Sequence, residues 1–127
     1  MLAAALALGC RRSPSLPALP DGVGDSTPGA VIAAREGEGF RLYRVIVALE
    51  LPPPTGTFLH LTIYDEKGAT LDDAAALARE PAKLHSVVAD FPMQAALLRG
   101  REHRVVGFAP LTEQDLAAFR SNQHIRP

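Results

Sequence analysis

The stretch that decides the fold is Phe40–Asp65, FRLYRVIVALELPPPTGTFLHLTIYD. It holds two apolar runs rich in β-branched and aromatic residues, Phe40–Leu51 and Thr57–Asp65, separated by Pro52-Pro53-Pro54-Thr55-Gly56. Val45, Ile46, Val47, Thr62 and Ile63 are stiff at χ1 and suit a pleated surface. No proline interrupts either run, and the prolines cluster where the chain has to leave a ladder. Two antiparallel strands joined by a stiff loop are therefore expected. In the second strand Leu59, Leu61 and Ile63 fall on one face, and His60, Thr62 and Tyr64 on the other. In the first, Phe40 and Leu42 share a face while Val45, Val47, Leu49 and Leu51 take the opposite one, which places a bulge near Arg44. Val45–Leu49 is apolar on both faces, as a central strand covered on both sides would be.

C-terminal to this pair, Asp65-Glu66-Lys67-Gly68 makes a turn. Thr70 then offers its hydroxyl to the backbone of Asp73, and Asp72 and Asp73 stand in a first helical turn, where the dipole favours them. Ala74–Arg79 continues that helix and Pro81 ends it. Lys83–Phe91 reads as a third strand, Met93–Arg99 as either a helical turn or a strand, and Glu102–Ala109 as a further strand. Thr112 repeats the helix start, with Asp115 as third residue and Leu111 placed to pack on Leu116. The order ββα-ββα emerges, with Ala30–Ala34 as a short extra strand or helix before it. Two short helices on one face of an antiparallel sheet of four or five strands give a small two-layer α+β domain. A β-sandwich with helical caps is the alternative. In the two-layer arrangement Leu59, Leu61 and Ile63 lie beneath Leu77, Leu116 and Phe119, and Thr62 sits on the more exposed face.

N-terminal to the pair the composition changes. Arg11–Gly29 (RRSPSLPALPDGVGDSTPG) has prolines at 14, 17 and 20, one edge of a polyproline II helix, and turn signals without apolar periodicity. It reads as a spacer. Before it, Met1–Gly9 (MLAAALALG) is an unbroken run of apolar or small residues that ends at Cys10, the single cysteine of the chain. The tetrad Ala7-Leu8-Gly9-Cys10 resembles the lipobox of bacterial lipoproteins, in which the cysteine receives a lipid and becomes the mature N-terminus. Ala7 stands where leucine is more usual, and no basic residue precedes the apolar run, as a start codon placed downstream of the true one would leave it. The resemblance implies lipid attachment at Cys10, removal of residues 1–9 and an extracytoplasmic, membrane-anchored protein of the cell envelope, periplasmic or outer-membrane. A cytoplasmic protein with an apolar N-terminus is the alternative. Three parts follow: a signal-like segment 1–9, the lipid-attachment cysteine and spacer 10–29, and one globular domain 30–127.

The chain has 127 residues, 47% of them hydrophobic, and a net charge of -1, which suits a single small domain with tails. That charge excludes the basic surface a nucleic-acid partner requires. No window reaches the roughly 18–20 apolar residues of a membrane span. The chain carries no G-x-S-x-G, Walker A loop, H-E-x-x-H or paired cysteines, and no cofactor is called for. His60, His85 and His103 fall on three separate strands without metal-ligand spacing. Ser86, His85 and Asp90 contain the letters of a triad, but neighbours along a strand point to opposite faces. Two function classes follow. The first is a lipid-anchored, non-catalytic binding or assembly module, with the membrane and an envelope protein as partners. The second is a small soluble enzyme or ligand-binding protein whose site forms only in the fold. A pocket lined by His60, Tyr64 and a carboxylate would favour the second, and a flat sheet face the first.

Overall fold

The computed structural model describes residues 19–125. The element order is β1 (Ala30–Glu36), β2 (Gly39–Glu50), β3 (Thr57–Gly68), α1 (Leu71–Ala78), a 3₁₀ turn at Pro81–Lys83, β4 (Ser86–Gln94), α2 (Ala95–Arg99), β5 (His103–Phe108) and α3 (Glu113–Ile125). The five strands form one antiparallel sheet in the order β4-β3-β2-β1-β5. This is the α+β class expected, and a single sheet excludes the sandwich. The β2–β3 pair is its centre, with Leu49 opposite Phe58 and Glu50 opposite Thr57 before the proline loop. The Ala30–Ala34 run proves to be strand and lies between β2 and β5. Met93–Arg99 divides: Met93 and Gln94 finish β4, and the next five residues form α2.

Both helix starts follow local chemistry. Asp73 N–H donates to Thr70 Oγ1 at 3.0 Å, and Pro81 opens a fresh 3₁₀ turn beyond α1. At α3, Asp115 N–H donates to Thr112 Oγ1 at 3.2 Å and Thr112 N–H returns a bond to Asp115 Oδ2 at 2.8 Å. That reciprocal box satisfies two donors the helix itself leaves open. Gly68 lets α1 begin directly on the end of β3, because a Cβ there would stand 2.8 Å from Ala74 Cα.

The sheet is covered on both faces. Val31, Ala33, Phe40, Leu42, Tyr64 and Val106 pack under Ala74, Ala75 and Ala78 of α1. Ile32, Ala34, Tyr43, Val45, Leu59 and Leu61 pack on the other side with Met93, Ala95 and Leu98. α3 lies on the α1 side, where Asp115 meets Arg44 and Phe119 meets His60. The two longer helices thus share a face, as expected, but it is the face of His60, Thr62 and Tyr64. All three are buried. The expectation that Thr62 sits on the exposed face, with Leu61 beneath Leu77, Leu116 and Phe119, is overturned. Short α2 and an N-terminal turn cover the aliphatic face instead, so neither face is left to solvent.

The phase change in β2 has the same origin. Phe40 and Leu42 belong to one core, and Tyr43 and Val45 to the other. Both faces are apolar because both are buried. The register with β3 shifts on either side of Arg44, between Arg41 and Tyr43 and between Val45 and Val47. The stretch expected to serve as spacer as far as Gly29 contributes to the domain earlier. Val23 packs on the aliphatic core, Gly29 N–H donates to Val45 O at 2.7 Å, and Asp25 takes two bonds of 3.0 Å from Arg99.

Candidate functional site

A cleft of about 760 Å³ opens between β3, the Pro81–Leu84 segment, β4 and the first turns of α3. Arg44, Thr62 and Tyr64 line it from the sheet, Leu84 and Ser86 from the approach to β4, and Thr112, Asp115 and Ala118 from α3. It exists because α3 starts beyond the end of β5 and reaches back across the sheet, leaving a gap beside the Pro81–Leu84 segment that follows α1.

Arg44 organises the α3 side. Its residue is 8% exposed, so the guanidinium has to be paired where it sits. Nε and Nη2 donate to Ala109 O at 3.0 and 2.8 Å, Nη2 also donates to Pro110 O at 2.6 Å, and Asp115 Oδ2 lies 3.1 Å away. One side chain in the central strand therefore fixes the β5–α3 turn by charge-assisted bonds. Burial pushes the Asp115 carboxyl up, but the Thr112 N–H and the Arg44 charge outweigh it and hold it below the ordinary carboxylate range. Thr62 donates its hydroxyl to Ala89 O at 2.9 Å, tying the floor of the cleft to β4.

Of the two residues expected to bind ligand, Tyr64 lines the cleft and His60 does not. His60 is 2% exposed, its Nδ1 lies 2.7 Å from Asp90 Oδ1, and Phe119 and Phe58 meet its ring edge-on at 4.8 and 5.9 Å. Imidazole and carboxylate are sealed under α3, where the pair satisfies two polar groups within the core. The carboxylate that does join Tyr64 is Asp115, and with it comes Arg44, neither of which stood out in the sequence as part of a site. Arg44, set between Tyr43 and the apolar run Val45–Leu49 of β2, was the available signal, since a charge in a strand buried on both faces needs a partner.

His85 and His103 lie apart from the cleft. His85 Nδ1 is 2.6 Å from Glu66 Oε2 at the surface, and that partner raises its pKa. His103 Nδ1 bonds Arg101 O at 2.8 Å, and its Nε2 is 3.8 Å from Asp25. Among the described residues no group of three His, Cys, Asp or Glu side chains could hold a metal ion. No helix among them is long and apolar enough to cross a membrane. Cys10, the expected lipid-attachment residue, lies outside the described residues. No protein-family model, curated protein or solved structure matches this chain.

Proposed function

We propose that this protein is a non-catalytic binding or assembly module of the bacterial cell envelope, held to the membrane by a lipid on Cys10. The observation that carries the proposal is the lone cysteine closing the apolar run Met1–Gly9, with the proline-spaced segment after it. A signal-like run, a lipidation site, a tether and a folded domain then follow in the order such an anchor requires. The binding half of the proposal rests on the cleft, whose size falls within the roughly 300–1,000 Å³ typical of ligand sites. Its lining offers hydrogen bonds and one compensated ion pair, the equipment of recognition.

Detergent-phase partitioning tests the anchor. The native protein is expected in the detergent phase, with an intact mass starting at a lipid-modified Cys10, and Cys10→Ser in the aqueous phase. A Cys10→Ser protein that stays membrane-bound at the native level refutes the anchor. The same cleft on an unanchored protein, a small soluble ligand carrier, is the second reading, and native protein in the aqueous fraction selects it.

A further inference from the structure

We infer that the floor of the cleft receives a neutral, carbonyl-bearing group, with the Tyr64 hydroxyl and the Nη1 edge of Arg44 as its hydrogen-bond donors. The inference rests on the cleft being the binding site, and adds to it the chemistry of the ligand.

Tyr64 is 6% exposed, its ring packed in the core under α1, and it lines the cleft. Among the described residues its hydroxyl has no hydrogen-bond partner; its backbone carbonyl takes a bond from Arg41. Buried polar groups are nearly always paired, because an unpaired one loses its water and gains nothing in return. A buried phenol that lines a cleft, without a partner among the described residues, marks a place where a partner arrives from outside.

Arg44 adds a second unused donor edge. Nε and Nη2 carry all of its bonds to Ala109 and Pro110, and Nη2 carries the contact with Asp115. Nη1 has no partner among the described residues. Two unspent donors in one cleft ask for an acceptor, a carbonyl or carboxylate oxygen.

Charge decides between those two acceptors. Asp115 already neutralises Arg44 at 3.1 Å, and Glu113 and Asp115 in the first turn of α3 offset the positive end of its dipole. An anion entering the cleft meets no net positive field and faces the Asp115 carboxylate. A cation meets Arg44. A neutral amide or ester carbonyl uses both donors without either penalty, and Leu84 and Ala118 supply apolar contact for the rest of the molecule.

The test is an NMR titration of the full chain with three probes alike in size and different in charge: N-acetylglycinamide, N-acetylglycine and glycinamide. N-acetylglycinamide is expected to bind tightest, shifting the amides of Thr62, Tyr64, Ala89 and Asp115 and the Arg44 side chain. Tyr64→Phe is expected to melt at or above the native temperature, since it removes a hydroxyl without a partner among the described residues. It is also expected to weaken the neutral amide by about five- to tenfold, the loss of one hydrogen bond. Tightest binding of N-acetylglycine overturns the neutral class and leaves the cleft as a binding site. Unchanged affinity in Tyr64→Phe, or a clear loss of its stability, overturns the role of the hydroxyl and assigns it an ordered water only. If none of the three probes moves a cleft resonance, both the inference and the binding role of the cleft fall.

Discussion

Leu61 and Thr62 are adjacent in β3, and each is buried against a different core. Leu61 is fully enclosed on the aliphatic face, so Leu61→Ala leaves a cavity and is expected to cost about 2–5 kcal/mol. Thr62 is 8% exposed and its hydroxyl holds Ala89 O. Thr62→Ala is therefore expected to cost about 1–2 kcal/mol, more than a solvent-facing threonine would. Urea melts of both variants check this, and a loss for Thr62→Ala within about 0.5 kcal/mol of zero would place it on an open face. At the same scale Asp25 and Asp115 are two of the carboxylates, with Glu36 and Glu66, held below their ordinary range. The hydrogen bond from Arg99 lowers the Asp25 pKa, and Asp115 is lowered by Thr112 and Arg44 against the upward push of burial. A depressed folded pKa means that the unfolded chain takes up the proton first. The stabilisation is therefore present above the unfolded carboxylate pKa of about 3.9 and is lost as pH falls through the lower folded values. Urea midpoints are expected to hold from pH 7 to about 5 and drop below about 4, and the drop should flatten in Asp25→Asn and Asp115→Asn. A midpoint that falls equally in those variants assigns the acid response to other groups.

Among the elements, the N-terminal turn before β1 departs most from its composition. Proline, glycine and aspartate at 20–29 signal turns, and turns do form there, but they are turns that dock. Val23 covers part of the aliphatic core, Gly29 and Thr27 bond the start of β1 and its neighbour, and Asp25 reaches Arg99 in α2. α2 has only five residues and is too short to hold itself by helical bonds, so its place depends on Ala95 and Leu98 below and on Asp25 beside it. A chain shortened to begin at Ala30 loses the Val23 contact and the Asp25–Arg99 pair together. It is expected to melt at least about 5 °C lower than one beginning at Arg11, as about 1 kcal/mol produces in a domain of this size. Calorimetry of the two chains decides it, and equal melting temperatures would return the segment to the role of a loose spacer.

For the molecule as a whole, a five-stranded sheet with cover on both faces lets a chain this short bury two cores, one aliphatic and one studded with polar residues. The cleft belongs to the second, because the Pro81–Leu84 segment after α1 and the start of α3 share that face without closing the gap between them. Strands and helix starts were legible in the residues because they arise over two to five positions: alternation in β3, Thr70 with Asp73, Thr112 with Asp115. The turn expected at Asp65–Gly68 was not: those residues finish β3, with Lys67 opposite Arg41 and Gly68 opposite Phe40, because pairing with β2 overrides their local turn preference. The apolar character of β2 on both sides also recorded its double burial. Which face of β3 lay under the longer helices was not legible. Leu59 and Leu61 and the set His60, Thr62 and Tyr64 both proved buried, and hydropathy ranks the first set higher whichever helix covers it. The site was legible only at Tyr64. His60 finds Asp90 thirty positions away and Arg44 finds Ala109 sixty-five away, separations that no local pattern encodes. By itself the sequence determined the class of fold, most of its secondary elements and the resemblance at Cys10, since short-range sterics and capping act within a turn or a strand, while Ala30–Ala34 and Met93–Arg99 took their form from tertiary packing. Tertiary structure alone decided the strand order, the burial of His60 and the meeting of Arg44, Tyr64 and Asp115, because those depend on where distant segments of one chain come to rest on a sheet that accepts them on either face.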